Sequence, residues 1–374
     1  MRIIKLLAYS PFLAIIIYFF LPLIILQQKL NSKKSLFLIT LLIGFVLGRS
    51  MIRNYKSKLS INQKWSNILI KSKNISYLNL FTVLSILLWV ISMGGISNIF
   101  DSNLREYYYQ SLDQWDGFKW QFIVNKYLGV FFFLYPIYYG IHWGKLKSKN
   151  KKFVILIMLL LSLTKFLVGS RLFIIYFLIF LIVRMIFVDI SKKKILLFIL
   201  IFCSFIYYGF SQRYDGQLTT DIIISTFNAN TNLDYIMNNN IISKTKFESF
   251  FYDITIIPAS VFNYELPNLT TLKYGEFVGS SEPMPVIANI YYSLGYFGFI
   301  YFFIVGIFSK IGQNLVVKGK ISGILLLFSI FYMFMIYINH SSFRASSRFM
   351  ILIITVIFTQ WILKFLTKKN STIY

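Results

Sequence analysis

One cysteine, Cys203, is present in 374 residues, and it lies inside an apolar run. A disulfide framework and a cysteine metal site are both excluded. Acidic residues are also scarce: 13 Asp and Glu stand against 38 Lys and Arg. Histidine occurs twice, as His142 and His340. The chain has no GxxxxGK[ST], GxSxG or HExxH pattern, and no Asp-x-Asp pair of the kind that holds a divalent cation on a nucleotide-sugar diphosphate. The chemistries that those patterns serve fall away.

What is abundant is apolar. The chain is 57% hydrophobic and 14% charged, with repeated runs long enough to cross roughly 30 Å of hydrocarbon. A net charge of +25 would point to nucleic acid in a soluble protein. Here the basic residues sit in short clusters between apolar runs and not on one domain face, so nucleic acid is not an expected partner. The first run, about Leu6 to Leu26, follows Arg2 and Lys5 and has no small-residue cleavage site, which reads as a retained helix.

Runs bounded by charge or turn residues predict ten spans, near 6–26, 35–52, 75–92, 122–142, 153–169, 171–189, 194–211, 286–309, 321–338 and 348–366. The fold class is an all-α polytopic integral membrane protein, a single membrane domain over 1–374. With the N-terminus in the cytoplasm, 22 basic residues fall inside and 12 outside, and every carboxylate but Asp189 faces outward. That asymmetry supports count and orientation together, and puts both termini inside. One segment dissents: "KLNSKK" at 29–34 would be external.

Two outer segments exceed ordinary connectors. The first is 93–121; the second, 212–285, lies between the seventh and eighth spans. Within the second, Phe247, Phe250, Phe251, Ile254 and Ile257 keep helical spacing, which predicts an interfacial helix near 246–262. Its Asn-rich neighbour "NANTNLDYIMNNN" reads as solvated linker.

Arginine carries the functional signal. The inner clusters use lysine, with Arg2 and Arg53 as the exceptions, whereas Arg105, Arg171, Arg213, Arg344 and Arg348 are all outside. A guanidinium grips phosphate oxygens with a planar two-pronged fork, while lysine serves to fix topology. The stretch "YINHSSFRASSRF", 337–349, brings His340, Arg344 and Arg348 together between two apolar spans. Arg171 closes "LVGSRLF" and Arg213 follows a span in "GFSQRYDG", so these side chains can converge at head-group level on an anionic ligand. Arginines at helix ends also snorkel to lipid phosphate, which is the plainer use. Lys126, Lys165 and Arg184 read as anchors, Arg184 with Asp189 as a further partner.

His340 suits a general base near neutral pH, or an interfacial histidine bonded to its own turn. His142, beside Trp143, reads as structural. Asp215, Asp253, Glu276 and Glu282 are outer carboxylates that could deprotonate a sugar hydroxyl, and no spacing singles one out. Trp115, Trp120 and Tyr107–Tyr109 crowd the first outer segment, either as sugar-stacking rings or as an interfacial belt.

The span layout, "GSR" at a tight outer turn, the large late outer segment, and "YGEFVGSSEPMPVIANIYYSLGYFGFIYFFIVGIF" at 274–308, with Gly279, Pro283, Pro285, Tyr291, Gly295 and Gly298, resemble the O-antigen polymerase, or oligosaccharide repeat-unit polymerase, family. The resemblance implies a bacterial inner-membrane glycosyltransferase with a GT-C-like fold and no cofactor or metal requirement. It would transfer a growing glycan from undecaprenyl diphosphate to a second lipid-linked repeat unit on the outer side, building O-antigen or capsular polysaccharide. Arg171, Arg213 and Arg344 with His340 would be catalytic; Arg348, Arg105, Asp215, Glu282 and Trp115 would bind substrate. A chain-length regulator and a flippase are the further partners it implies. O-antigen ligase shares the layout, a lipid-linked oligosaccharide flippase would place its charges at mid-membrane, and a purely structural membrane partner would not need the outer arginines.

Overall fold

The structure, a computed structural model, describes residues 2–22, 32–55, 72–95, 119–167, 175–187, 228–240 and 285–336, with 350, 351, 353–355 and 357–359. Among these residues the regular elements are all helical and there is no strand. In chain order they are α1 (Arg2–Ala8), α2 (Ser10–Ile15), α3 (Ser32–Ser50), α4 (Ser72–Ser92), α5 (Lys119–His142), α6 (Ser148–Leu167), α7 (Ile175–Phe187), α8 (Asn228–Asn238), α9 (Val286–Leu294), α10 (Gly298–Val317) and α11 (Ile321–Phe331). A π turn extends α2 over Ile16–Phe20, and another extends α11 over Tyr332–Ile336. The run Val286–Val317 is long and apolar enough to cross a membrane by length and composition. Ser10–Phe20, Ser76–Ser92, Tyr176–Ile186 and Ile321–Met335 are shorter apolar helices.

Two compact units divide the chain, one joining Met1–Lys58 to Gln217–Tyr374, the other Leu59–Gly216. In the first, α3 packs along α10 with the two backbones in contact. The stretch "GFVLG" on α3 makes this approach possible: a methyl group on Gly44 or Gly48 would stand closer than 3.0 Å to the carbonyl oxygens of Phe299 or Phe303. Gly306 on α10 answers from the other side, facing the Phe45 carbonyl. Small residues spaced by four let helices approach closely where hydrophobic burial gives no preference for one helix neighbour over lipid. Phe37, Leu41, Phe45, Phe302 and Val305 then fill the seam, and Ile15, Phe19, Leu233, Ile330 and Phe334 continue the same core.

The outward positions of α3 are apolar too. Leu36, Ile39, Ile43, Val46 and Leu47 are exposed, while Lys34 and Arg49 on the same helix are buried. This inverts the distribution expected of a surface helix in water.

In the second unit α5 is the central helix, packed on α4, α6 and α7. Hydroxyl pairs join it to α4: Ser85 Oγ lies 2.8 Å from Tyr135 Oη, and Tyr139 donates to Asn79 Oδ1 at 2.8 Å. Gly140 admits α7, since a methyl there would meet Val183 at 2.7 Å.

Two expectations are corrected, and a third gains a local detail. The Asn-rich stretch is not a solvated linker: 228–238 is helix α8, with Ala229, Leu233, Ile236 and Met237 buried. Their spacing gives one apolar stripe, and packing that stripe outweighs the poor helix propensity of asparagine. The expected span 286–309 lies within the run Val286–Val317 that is long and apolar enough to cross a membrane, with a local turn at Gly295, whose φ of 56° lies in the left-handed region that favours glycine. Past that turn α10 runs through Val317, so Lys310 lies within a helix and not in a loop. The expected span 194–211 with Cys203, and the interfacial helix near 246–262, lie outside the described residues.

Candidate functional site

Polar groups of the first unit gather near both ends of α3. At the N-terminal end, the first turn carries Lys34, and α8 carries Asp234 on the flank of its apolar stripe. Lys34 Nζ donates to Asp234 Oδ2 at 2.7 Å. The ammonium end is nearly dry, since the Lys34 side chain is 4% exposed against 31% for Asp234. Burial lowers the Lys34 pKa, and the hydrogen bond and charge of Asp234 oppose that shift. An unpaired buried ammonium costs several kcal/mol, and the carboxylate offsets that cost.

Amides and rings surround the pair. Ser293 Oγ donates to Asn289 Oδ1 at 3.0 Å, so two polar groups one turn apart on the buried helix α9 satisfy each other. Tyr296 donates to the Lys33 carbonyl at 3.3 Å. Phe37 meets Tyr291 edge-on at 5.0 Å, and Tyr291 meets Tyr296 at 6.2 Å. Tyr18 donates to the Met335 carbonyl at 2.9 Å, fastening the two π turns together. The described chain leaves this end at Asn240, after α8, and at Ile336, after the second π turn.

Near the other end of α3, Arg49 is buried but well supplied. Its Nη1 donates to the Ala8 carbonyl at 3.2 Å and to Ser309 Oγ, and its Nη2 donates to Gln313 Oε1 at 2.7 Å. Ser309 Oγ donates in turn to the Ala8 carbonyl. The Tyr9 ring lies 4.0 Å from the guanidinium carbon, within cation–π range. This arrangement joins α1, α3 and α10 through one side chain; its chemistry is structural.

The nine residues that the sequence nominates, His340, Arg344, Arg171, Arg213, Arg348, Arg105, Asp215, Glu282 and Trp115, lie outside the described residues, as do Asp253, Glu276 and Asp189. Of the other expectations, His142 is buried at the end of α5, its ring 4.7 Å from that of Tyr138. Arg184 stacks over Trp143 at 5.1 Å, a cation–π anchor. Trp120 is exposed near the start of α5. Lys126 and Lys165 are on α5 and α6. Among the described residues no group of three His, Cys, Asp or Glu could hold a metal ion.

Sequence reasoning missed Asp234 and the partners of Arg49. The spacing of Ala229, Leu233, Ile236 and Met237 was the available signal for α8 and therefore for Asp234. Ser309 and Gln313, at i and i+4, share one face of α10 and could have nominated themselves as partners for a charge inside a span. Comparison with family models, curated proteins and solved structures returns no match to this chain.

Proposed function

We propose that this chain is a membrane-embedded glycosyltransferase that polymerises undecaprenyl-diphosphate-linked repeat units at the outer face of a bacterial inner membrane, with ten spans in a GT-C-like arrangement. The observation that carries this reading is the sidedness of arginine: under the span count Arg105, Arg171, Arg213, Arg344 and Arg348 fall on the outer side, whereas the inner clusters use lysine apart from Arg2 and Arg53.

Two structural features support the bilayer half of the reading. The outward stripe of α3 is apolar while Lys34 and Arg49 turn inward, with Lys33 exposed in the first turn, an arrangement that suits contact with hydrocarbon. The Lys34–Asp234 pair also accounts for one of the three lysines, Lys29, Lys33 and Lys34, of the dissenting loop. The span count assigns both members of the pair to the outer face, and a lysine committed to a buried ion pair is not a topology signal.

The reaction asks little more of the protein than placement and charge. An acceptor hydroxyl oxygen attacks the anomeric carbon of the donor glycan, and a new C–O bond forms there. The bond from that carbon to the diphosphate oxygen breaks, and undecaprenyl diphosphate departs with the electron pair. Arg171, Arg213 and Arg344 would stabilise the growing negative charge, a type of interaction that contributes several kcal/mol. His340 or an outer carboxylate would take the hydroxyl proton.

The test is the length of surface glycan on gels from a deletion strain, with and without the gene restored. Polymerase loss leaves single repeat units, and restoration returns long chains. Long lipid-linked chains accumulating without transfer would identify a ligase instead, and complete loss of surface glycan a flippase.

A further inference from the structure

At the Arg49 end of the first unit, positive charge collects with no carboxylate to match it. Arg49 and Lys310 are 6% and 9% exposed, and their partners are neutral: Ala8, Ser309 and Gln313 for Arg49, Asn54 Oδ1 for Lys310. The chain after α3 continues against the C-terminal half of α10. Asn314 Oδ1 accepts the Tyr55 N–H at 3.1 Å, and its Nδ2 donates to the Arg53 carbonyl at 2.9 Å. Lys318 Nζ stands 4.7 Å over the Tyr55 ring. Lys5 lies one turn before Tyr9, its carbonyl accepting the Tyr9 N–H at 2.9 Å. Lys5, Arg53 and Lys318 are exposed.

These five cationic residues share this end, and Lys320, exposed two residues past Lys318, is a sixth. The only carboxylate among the described residues, Asp234, is engaged near the opposite end of α3. In the whole sequence, the segments that the span count places on this side carry a single acid, Asp189, which belongs to the second unit. Hydrogen bonds to amides and carbonyls satisfy donors but do not neutralise charge. Among the described residues no carboxylate supplies the counter-charge at this end, and a bound anion can. Exposed apolar side chains flank the cations here, Leu6 on α1 with Leu47 and Met51 at the end of α3. A free anion has no use for such a border, whereas a lipid has a phosphate for the cations and acyl chains for the apolar flank.

We infer that this end of the first unit binds the phosphate headgroup of an anionic phospholipid. Lys310, backed by the fixed charge of Arg49, forms its centre, and Lys5, Arg53 and Lys318 form its rim. The site rests on the bilayer half of the proposed function and is independent of the glycan chemistry, so a failed glycan assay leaves it standing.

The test uses the full-length protein in detergent micelles supplemented with phosphatidylglycerol, with phosphatidylcholine, or with inorganic phosphate. Lipid adducts are counted by native mass spectrometry, and the unfolding midpoint is read in parallel. Phosphatidylglycerol is expected to be retained and to raise the midpoint, and phosphatidylcholine is not. The double variant Arg53→Gln, Lys318→Gln alters exposed residues only, and should weaken phosphatidylglycerol retention about fivefold for each charge removed. Lys147→Gln with Lys149→Gln, both exposed in the second unit, should leave retention at the wild-type level. Equal retention of the two lipids, or equal retention by wild type and the Arg53/Lys318 variant, overturns the site. So does a midpoint shift produced in full by inorganic phosphate, which would make it a site for free anions.

Discussion

Lys34 Nζ and Asp234 Oδ2, 200 residues apart in the chain, lie 2.7 Å from each other and tie the first turn of α3 to α8. The pair is lopsided. Water reaches the carboxylate but scarcely the ammonium, so the two partners are not equivalent when one is removed.

Asp234→Asn strands a buried cation, and should cost about 2–3 kcal/mol, the low side for a buried pair because Asp234 is partly wet. Lys34→Met leaves only a carboxylate that can turn to solvent, and should cost about 1 kcal/mol or less. The double variant should resemble Lys34→Met alone. Denaturant titration of the purified protein checks this order, and equal costs for the two single variants would contradict it.

The same pair has a pH signature. Burial holds the Lys34 pKa below its ordinary 10.5. Between the folded value and 10.5 the unfolded chain therefore holds more protons at this position, so the Lys34 contribution to stability rises with pH across that window. Below the folded value the burial penalty is at its full size. Unfolding midpoints of wild type minus those of Lys34→Met should increase as pH is raised toward 10.5. A flat or falling difference would show that Lys34 is not desolvated in the folded state.

Helix content was legible in the sequence because apolar runs bounded by charge are strong signals. The expected spans 35–52, 75–92, 122–142, 153–169 and 171–189 coincide with α3, α4, α5, α6 and α7 to within a few residues. What was not legible lies where a local rule lost to tertiary packing. Asparagine content argued against α8, yet its four apolar side chains had a core to enter. Lys310 looked like the end of a span, but its ammonium reaches Asn54 and the helix continues. The partners of Arg49 come from α1 and α10, at separations of 41 to 264 residues. No local pattern around Arg49 announces them. The nominated arginines and His340 fall on other residues than those described, so the site rests on the sequence.

The α3–α10 seam is the most demanding packing in the first unit. Gly48→Ala places a methyl against the Phe303 carbonyl and Gly306→Ala one against the Phe45 carbonyl, both closer than 3.0 Å. Backbone cannot yield as a side-chain tip does, so each should destabilise by at least about 2 kcal/mol. Gly144→Ala meets nothing within 4 Å and should be neutral to within about 0.5 kcal/mol. Thermal unfolding of the three variants separates these outcomes.

Arg171→Lys and Arg344→Lys keep the positive charge and remove the fork. Each is expected to preserve insertion and abundance while shortening surface glycan to a single repeat, because an ammonium cannot hold two phosphate oxygens in the guanidinium geometry. Membrane abundance by immunoblot and glycan length by gel read the two effects separately. Wild-type chain lengths in both variants would remove these side chains from the chemistry.

With Lys34 fastened to α8 near one end and Arg49 to α1 and α10 near the other, α3 works as a gauge block. The two charges are set roughly 22 Å apart along the axis, at about 1.5 Å per residue. Interlocked glycines deny it the freedom to slide on α10. In the membrane-embedded reading proposed above, a bilayer of different thickness would have to thin or swell, or the first unit would have to tilt, since this strut cannot telescope to meet it.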